Sequence, residues 1–343
     1  MEEKNKNPLC SVLVLNYNGK EHLDKCFSSL VKQTYLDYEL ILVDNASVDS
    51  SVDLVRQKFP QVKIVRSEAN LGTAGGFNFG AKYAKGDYML FLANDMEARE
   101  DLLEKLLQTV HDDVQIATGK MLDYWDRGLV DYAGIKMDVF GFPTIIGHRK
   151  KDSEKYNKIV ETIPTGTVLL IKRSIFERAG GFDSDNFTLG DELDLWWRVR
   201  LLGYKCLYNP EAIVYHKGGA TLKQFKRANL RFLSEKNTIR NLIKNYSLPY
   251  LMPILSAYAI FIFAEAIFYF LIGKTDFAIS ILKAAKWNIK KLPHTLELRR
   301  AVQANRKVSD IILLRSFYKG SYKLHMFLEW VRGDLKGFTE DKK

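Results

Sequence analysis

Four apolar, β-branched runs recur along the first hundred residues, and each is followed by a stretch with helical spacing. SVLVLN (11–16) precedes Leu23, Phe27, Leu30 and Val31, and ELILVD ends at Asp44, with Asp49 or Ser50 placed to cap the next helix. KIVRS precedes GFNFGAKYAK, and YMLFLAND precedes a helix from about Arg99 to Val110. Such β-α units predict an α/β fold with a mostly parallel central sheet, covered by helices on both faces. Ligands bind beyond the carboxyl ends of the strands in these sheets. Asn16, Asp44 and Asp95 stand at those ends.

The pattern then changes. Gly128, Gly134, Gly141, Pro143 and Gly147 punctuate short β-prone pieces, which reads as a meander with a mobile basic loop around His148 to Lys151. TVLLIKRSIFERAGGFD reads as a strand and a short helix stopped at Gly180. DELDLWWRVRLL (191–202) reads as a helix with acids in its first turn and Gly203 as its stop. Strands near 204–208 and 211–215 follow, ending at His216.

Charge divides the chain. Residues 1–219 carry 28 Lys and Arg against 32 Asp and Glu, whereas residues 220–343 carry 23 against 9. Two regions with different partners are expected. The three cysteines, Cys10, Cys26 and Cys206, are too few and too scattered for a disulfide framework, which points to a reducing compartment. The N-terminal stretch, with acids among its lysines and Asn16 and Asn18 in its apolar run, is unlike a signal peptide, so a cytosolic start is expected.

Several residues carry possible chemistry, each with a plainer alternative. Asp44 stands where Asp commonly ends a strand and begins a turn. The glycine-rich NLGTAGGFN (70–78) opens a helix and so either brings N–H groups to a phosphate or packs a helix close to a sheet. It does not occupy the first strand-to-helix turn, where a dinucleotide fingerprint belongs. Asp95 suits a hard cation that also binds phosphate oxygens, or it caps the next helix. Asp191, Glu192 and Asp194 offer a general base, or favourable charge at a helix N-terminus. His216 is either a metal ligand or a satisfied core histidine.

Taken in order, VLNYNG (14–19), VDNASVDSS (43–51), NLGTAGGFNFG (70–80), FLAND (91–95), TGTVLLIKRSIFERAGGFD (165–183), GDELDLWWRVRLLGYK (190–205) and EAIVYHKGG (211–219) resemble the inverting glycosyltransferases of family 2, on the GT-A fold. Within that family the resemblance is to the rhamnosyltransferase-like branch, which elongates lipid-linked glycans. It implies a nucleotide-sugar donor and a lipid-linked or polysaccharide acceptor. It places Asn16 and Asp44 around the donor's base and ribose, and Asn70 with the turn at Gly72 on the nucleotide side. Asp95 would bind a Mg²⁺ or Mn²⁺ joined to the diphosphate, with His216 as second protein ligand. Glu192 falls at the catalytic base, Trp196 or Trp197 would floor the acceptor pocket, and Gly166 resembles the small residue that admits the donor sugar. Two positions depart from the family pattern: Ala93 opens the DxD-like motif, and the usual Glu-Asp pair reads Asp191-Glu192, which leaves Asp191 as the rival base. A sugar nucleotidyltransferase and a non-catalytic sugar-nucleotide or membrane scaffold are the alternative functions.

Beyond residue 220 the resemblance thins. ILSAYAIFIFAEAIFYFLI (254–272) has one charge, Glu265, and is long enough to cross a bilayer. Arg227, Arg231, Lys236, Arg240 and Lys244 precede it, and Lys274, Lys283, Lys286, Lys290 and Lys291 follow it. Positive flanks on both sides favour an in-plane or re-entrant helix on an anionic membrane surface. Phe261, Phe263, Phe268, Tyr269 and Phe270 sit inside the apolar run and do not alternate with lysines, so nucleic-acid binding is not expected. The expected organisation is a catalytic domain over residues 1–220 and a helical membrane-associated region over 221–343, at the cytoplasmic face of the cell membrane.

Overall fold

The computed structural model of the chain describes residues 9–166, 168–218 and 226–331. The boundary expected at 220/221, residues 1–8, and Thr167 and Gly219 of the motifs above lie outside the described residues. The first half runs β1 (Cys10–Asn16), α1 (Lys20–Leu30), β2 (Tyr38–Asp44), α2 (Ser51–Lys58), β3 (Lys63–Arg66), α3 (Gly72–Ala81), β4 (Tyr88–Ala93), β5 (Met96–Ala98) and α4 (Leu102–Thr109). Next come β6 (Val114–Asp123), β7 (Leu129–Tyr132), β8 (Ile135–Met137), β9 (Pro143–Ile145), β10 (Lys150–Lys151), β11 (Val160–Glu161), β12 (Val168–Lys172), α5 (Arg173–Arg178), α6 (Asp191–Leu201) and β13 (Lys205–His216). Five helices follow: α7 (Arg227–Asn245), α8 (Leu248–Leu271), α9 (Thr275–Ala304), α10 (Asp310–Ser316) and α11 (Tyr322–Val331).

The main sheet has the order β10-β7-β6-β12-β4-β1-β2-β3. β4, β1, β2 and β3 are parallel, as the β-α units require, and their residues Val12 to Val14, Ile41 to Val43 and Leu90 to Leu92 are buried on both faces. The expectation of a mostly parallel sheet holds only for this half. β12 enters between β4 and β6 antiparallel to both, and β6 and β7 are antiparallel as well, so the sheet is mixed. The two strands expected at 204–208 and 211–215 are one strand, β13, whose register against β6 shifts between Asn209 and Ile213. β13 also pairs antiparallel with β5, a strand not expected from the sequence, where Met96–Ala98 fell between the fourth run and its helix.

Local chemistry fixes several junctions. Ser50 makes no side-chain cap on α2; the Asp49 carboxylate accepts from the N–H groups of Ser51 (3.1 Å) and Lys20 (2.9 Å) instead, tying α2 to α1. The glycines of α3 serve close packing: a Cβ at Gly76 would lie 2.6 Å from Leu15 Cδ1, and one at Gly80 2.4 Å from Val43 Cγ2. The basic loop is held by pairing, since Lys150 and Lys151 form β10 against β7.

The basic residues of α7 are not a surface. Lys236, Arg240 and Lys244 are buried, and Arg231 is nearly so. Arg240 pairs with Asp183 at 2.7 Å and Asp185 at 3.0 Å, and Lys244 pairs with Asp183 at 2.5 Å and Asp194 at 2.9 Å. These four therefore point into the fold, and of the residues expected to grip head groups only those outside this set remain. Arg231, Arg240 and Lys244 are tolerated there because each has a carboxylate partner from a distant segment, and Lys236 donates to the backbone carbonyl of Asp185.

Candidate active site

The ends of β1, β2 and β4 meet because Asn16 stands directly opposite Asp44 and Leu15 opposite Ala93. Asn16 Nδ2 donates to Ser47 Oγ at 3.0 Å and to Asp44 Oδ1 at 3.3 Å, and Asn94 Nδ2 donates to Asn16 Oδ1 at 2.6 Å. Asp44 Oδ2 accepts from Ser47 N–H at 3.1 Å and faces Arg66 Nε at 3.2 Å. Asn16 and Asp44 are fully buried, so Asn16 acts as a brace between three strand ends. Asn70 Oδ1 accepts from Asn45 Nδ2 at 3.0 Å and from Gly72 N–H at 2.9 Å, shaping the turn into α3. Gly72, at φ +71°, faces Phe187: a Cβ there would lie 2.3 Å from the Phe187 carbonyl oxygen.

Asp95 and His216, about 120 positions apart, are brought together by β5 and β13. His216 Nε2 lies 3.3 Å from Asp95 Oδ2, and Nδ1 lies 2.6 Å from Asp131 Oδ2. Asp131 Oδ1 also meets His148 Nδ1 at 3.1 Å. Burial pulls the imidazole toward neutrality, but the hydrogen bonds it donates to Asp131 and Asp95 outweigh this, and its pKa is pushed up to about 9. Burial raises the Asp131 carboxyl, yet the two histidines more than reverse this and hold it well below the usual range.

These residues fit a divalent cation. Two ligands each about 2.1 Å from one octahedral cation stand about 3 Å apart, close to the Asp95 to His216 separation. Asp131 occupies the other ring nitrogen, which orients Nε2 toward Asp95 as an outer carboxylate does for metal-bound histidines. Among the described residues no group of three or more His, Cys, Asp and Glu side chains is arranged to hold a metal, so phosphate oxygens and water would complete the shell.

A loop before α6 carries the second half of the site. Phe187, Leu189 and Gly190 have φ of +65°, +70° and +76°. Two non-glycine residues in this region store strain, which persists only where the surroundings over-determine it. α7 supplies that constraint. Asn237 Nδ2 lies 2.9 Å, 2.8 Å and 2.6 Å from the carbonyl oxygens of Asn186, Thr188 and Leu189, and Asn241 Nδ2 donates to Gly190 at 3.0 Å.

From this loop Glu192 projects into a cavity of about 240 Å³, with Gly141, Phe142, Leu193, Trp197 and Asn241 around it. Gly166 faces the Glu192 side chain, where an added Cβ would lie 3.5 Å from Oε2. Asp191 is buried beneath and does not line this cavity. Burial and then the Glu192 charge push the Asp191 carboxyl well above its ordinary value. Burial raises Glu192 as well, and its hydrogen bonds work against that rise. Asp194 belongs to the buried ion pairs, 2.8 Å from Arg198.

The tryptophans divide. Trp197 lines the cavity while stacking edge-on against Tyr246 at 4.8 Å, but Trp196 is packed beside Phe317 and is absent from the cavity wall. Asp131, Asn94 and Asn237 are the site residues that sequence reasoning missed. Asn94 stood inside FLAND; Asp131 and Asn237 carried no local signal, because their partners lie 85 and about 50 positions away.

The glycosyl transferase family 2 model matches residues 11–180. Glycosyltransferase GlyG of Streptococcus pneumoniae is 27% identical over 223 residues, 62% of this chain and 72% of that protein. The poly-beta-1,6-N-acetyl-D-glucosamine synthase of Staphylococcus epidermidis is 25% identical over 209 residues, 60% of this chain and 49% of the synthase. The mannosyltransferase PcManGT from Pyrobaculum calidifontis, solved with GDP-Man and Mn²⁺, superposes with a TM-score of 0.52 at 17% identity, covering 88% of this chain and 86% of that one. Over residues 11–180 the chain matches glycosyl transferase family 2, and its mixed sheet has the GT-A fold of the solved glycosyltransferases.

Proposed function

We propose that the chain transfers a sugar from a nucleoside-diphosphate donor to a hydroxyl of a lipid-linked or polysaccharide acceptor, with inversion at the anomeric carbon. The observation that carries this reading is the placement of the Asp191-Glu192 pair: Asp191 is buried, and Glu192 faces a cavity beside Gly166. Glu192 takes the proton of the acceptor hydroxyl as its oxygen bonds to the anomeric carbon. The bond from that carbon to the diphosphate oxygen breaks, and the nucleoside diphosphate leaves from the opposite face. Gly166 leaves room for the sugar beside Glu192.

Asp95 and His216 would hold a Mg²⁺ or Mn²⁺, which supplies charge neutralisation to the departing diphosphate. Asn70 and the turn at Gly72 shape the nucleotide side, Asn16 and Asp44 support it from buried positions at the strand ends, and Trp197 contributes to the acceptor side. The GDP-Man held in the PcManGT structure supports a nucleotide-sugar donor in general. Within that class a deoxyhexose such as rhamnose is the first to try. The three free, buried cysteines support a reducing, cytoplasmic setting.

The test is transfer from a panel of UDP-, dTDP- and GDP-sugars with and without Mn²⁺, with product stereochemistry read by NMR. Retention at the anomeric carbon, or turnover unaffected by EDTA, would overturn the corresponding part of the proposal.

A further inference from the structure

Helix α8 is apolar all round, yet among the described residues only one of its faces is covered. Leu251, Tyr258, Ile262, Ala266 and Tyr269 turn inward. Set about 120° round the helix, at 100° per residue, a second row runs Met252, Ile260, Phe263, Ile267 and Phe270. This row faces outward, with Ile260 72% and Phe263 62% exposed. A surface helix of a soluble protein carries charge there. After the turn at Gly273, α9 packs against α8 and exposes a row of its own, Ile279, Leu282, Ile289 and Leu296.

Charge beside these rows is mostly positive. Lys283, Lys286 and Lys290 are exposed on α9 next to Leu282 and Ile289. Between residues 247 and 297 the acids are Glu265, which is turned inward, and Asp276 and Glu297, which are exposed at the two ends of the α9 row. An anionic bilayer complements both properties at once: its interface takes the apolar rows, and its head groups meet the lysines.

Among the described residues α8 is the one helix long and apolar enough to cross a membrane. Its inner face argues against crossing. The Glu265 carboxylate pairs with Arg231 of α7 and lies 2.9 Å from Lys323 Nζ of α11, and both cations also pair with Glu235. A spanning α8 would either leave Glu265 unpaired in hydrocarbon or draw Arg231, Glu235 and Lys323 in with it. Packed as it is, α8 keeps all four charges matched.

We infer that α8 and α9 lie along the surface of an anionic bilayer, with the Phe263 row in the interface and the catalytic domain and Gly273 on the same side of the membrane. This docking stands apart from the sugar-transfer reading and is tested without it.

Purified full-length chain is floated with phosphatidylcholine vesicles with and without phosphatidylglycerol. It is expected to rise with the anionic vesicles. Phe263→Glu with Ile267→Glu should lower the partition coefficient about tenfold or more with an unchanged thermal melt, because both side chains are exposed. Replacing Lys283, Lys286 and Lys290 with Ser should lower it about a hundredfold on anionic vesicles. For topology, the buried native cysteines give a silent background. Glu68→Cys on the catalytic domain and Thr275→Cys after α8, both exposed positions, should react with an impermeant maleimide from the same side of native membrane vesicles. Labelling from opposite sides would show a span and overturn the inference. So would a chain that stays unbound and is a dimer split by Phe263→Glu, since a second copy would then cover the row.

Discussion

His216 lies between two carboxylates, with Nδ1 2.6 Å from Asp131 and Nε2 3.3 Å from Asp95. An imidazole fixed at one nitrogen presents the other in a set direction. Asp131→Asn keeps the shape but removes the charge that orients the ring. The Mn²⁺ concentration for half-maximal turnover is expected to rise about 10- to 100-fold, as is usual when such an outer partner is lost. Turnover measured across a Mn²⁺ titration checks this, and an unchanged midpoint would mean that Asp131 serves only the fold.

Glu192, the proposed base, and its neighbour Asp191 separate by position: Glu192 lines the cavity and Asp191 does not. Glu192→Gln removes the proton acceptor and should cut turnover by roughly 10² to 10⁴ with donor affinity little changed. Asp191→Asn keeps the shape of a side chain buried away from the cavity, so its loss should be much smaller. Both variants are compared in turnover and donor binding side by side. If Asp191→Asn is the inactive one, the base is Asp191.

Asn237 holds three carbonyl oxygens of the strained loop. Asn237→Ala leaves these groups short of a donor and is expected to cost about 1–3 kcal/mol in denaturant melts. Turnover should fall alongside, because Glu192 follows directly from that loop. Loss of stability with full turnover would show that the loop keeps its conformation without α7.

Asp183 sits between Arg240 and Lys244, both buried. Burial raises its carboxyl, but Lys244 and Arg240 overcome that and hold it far below the ordinary value of 3.8. The folded state therefore gains stability from this group above about pH 3.8 and loses it as pH falls toward the depressed value. Arg240→Ala leaves Asp183 with Lys244 as its remaining cation and should cost about 3–5 kcal/mol at neutral pH. Its melts should also lose less than wild type on acidification, and an equal loss in both would assign the acid sensitivity elsewhere.

The sequence by itself determined the parallel half of the sheet, because fully buried strands read as continuous apolar runs and the helices between them keep their own period. It also put Asn16, Asp44 and Asp95 at strand ends, since a run that stops at a polar residue marks where the strand leaves the core. Strand direction was not encoded locally: the run VLLIK looks the same whether it pairs parallel or antiparallel, and only the packed sheet sets β12 against β4 and β6. The lysines and arginines of α7 read as a basic flank because charge is assigned to the surface unless a partner is known. Their partners Asp183, Asp185, Asp194 and Glu265 come from other segments, and Asp131 reaches His216 across 85 positions. Burial of a charge is a property of the pair, and a pair exists only once the tertiary structure has closed the distance.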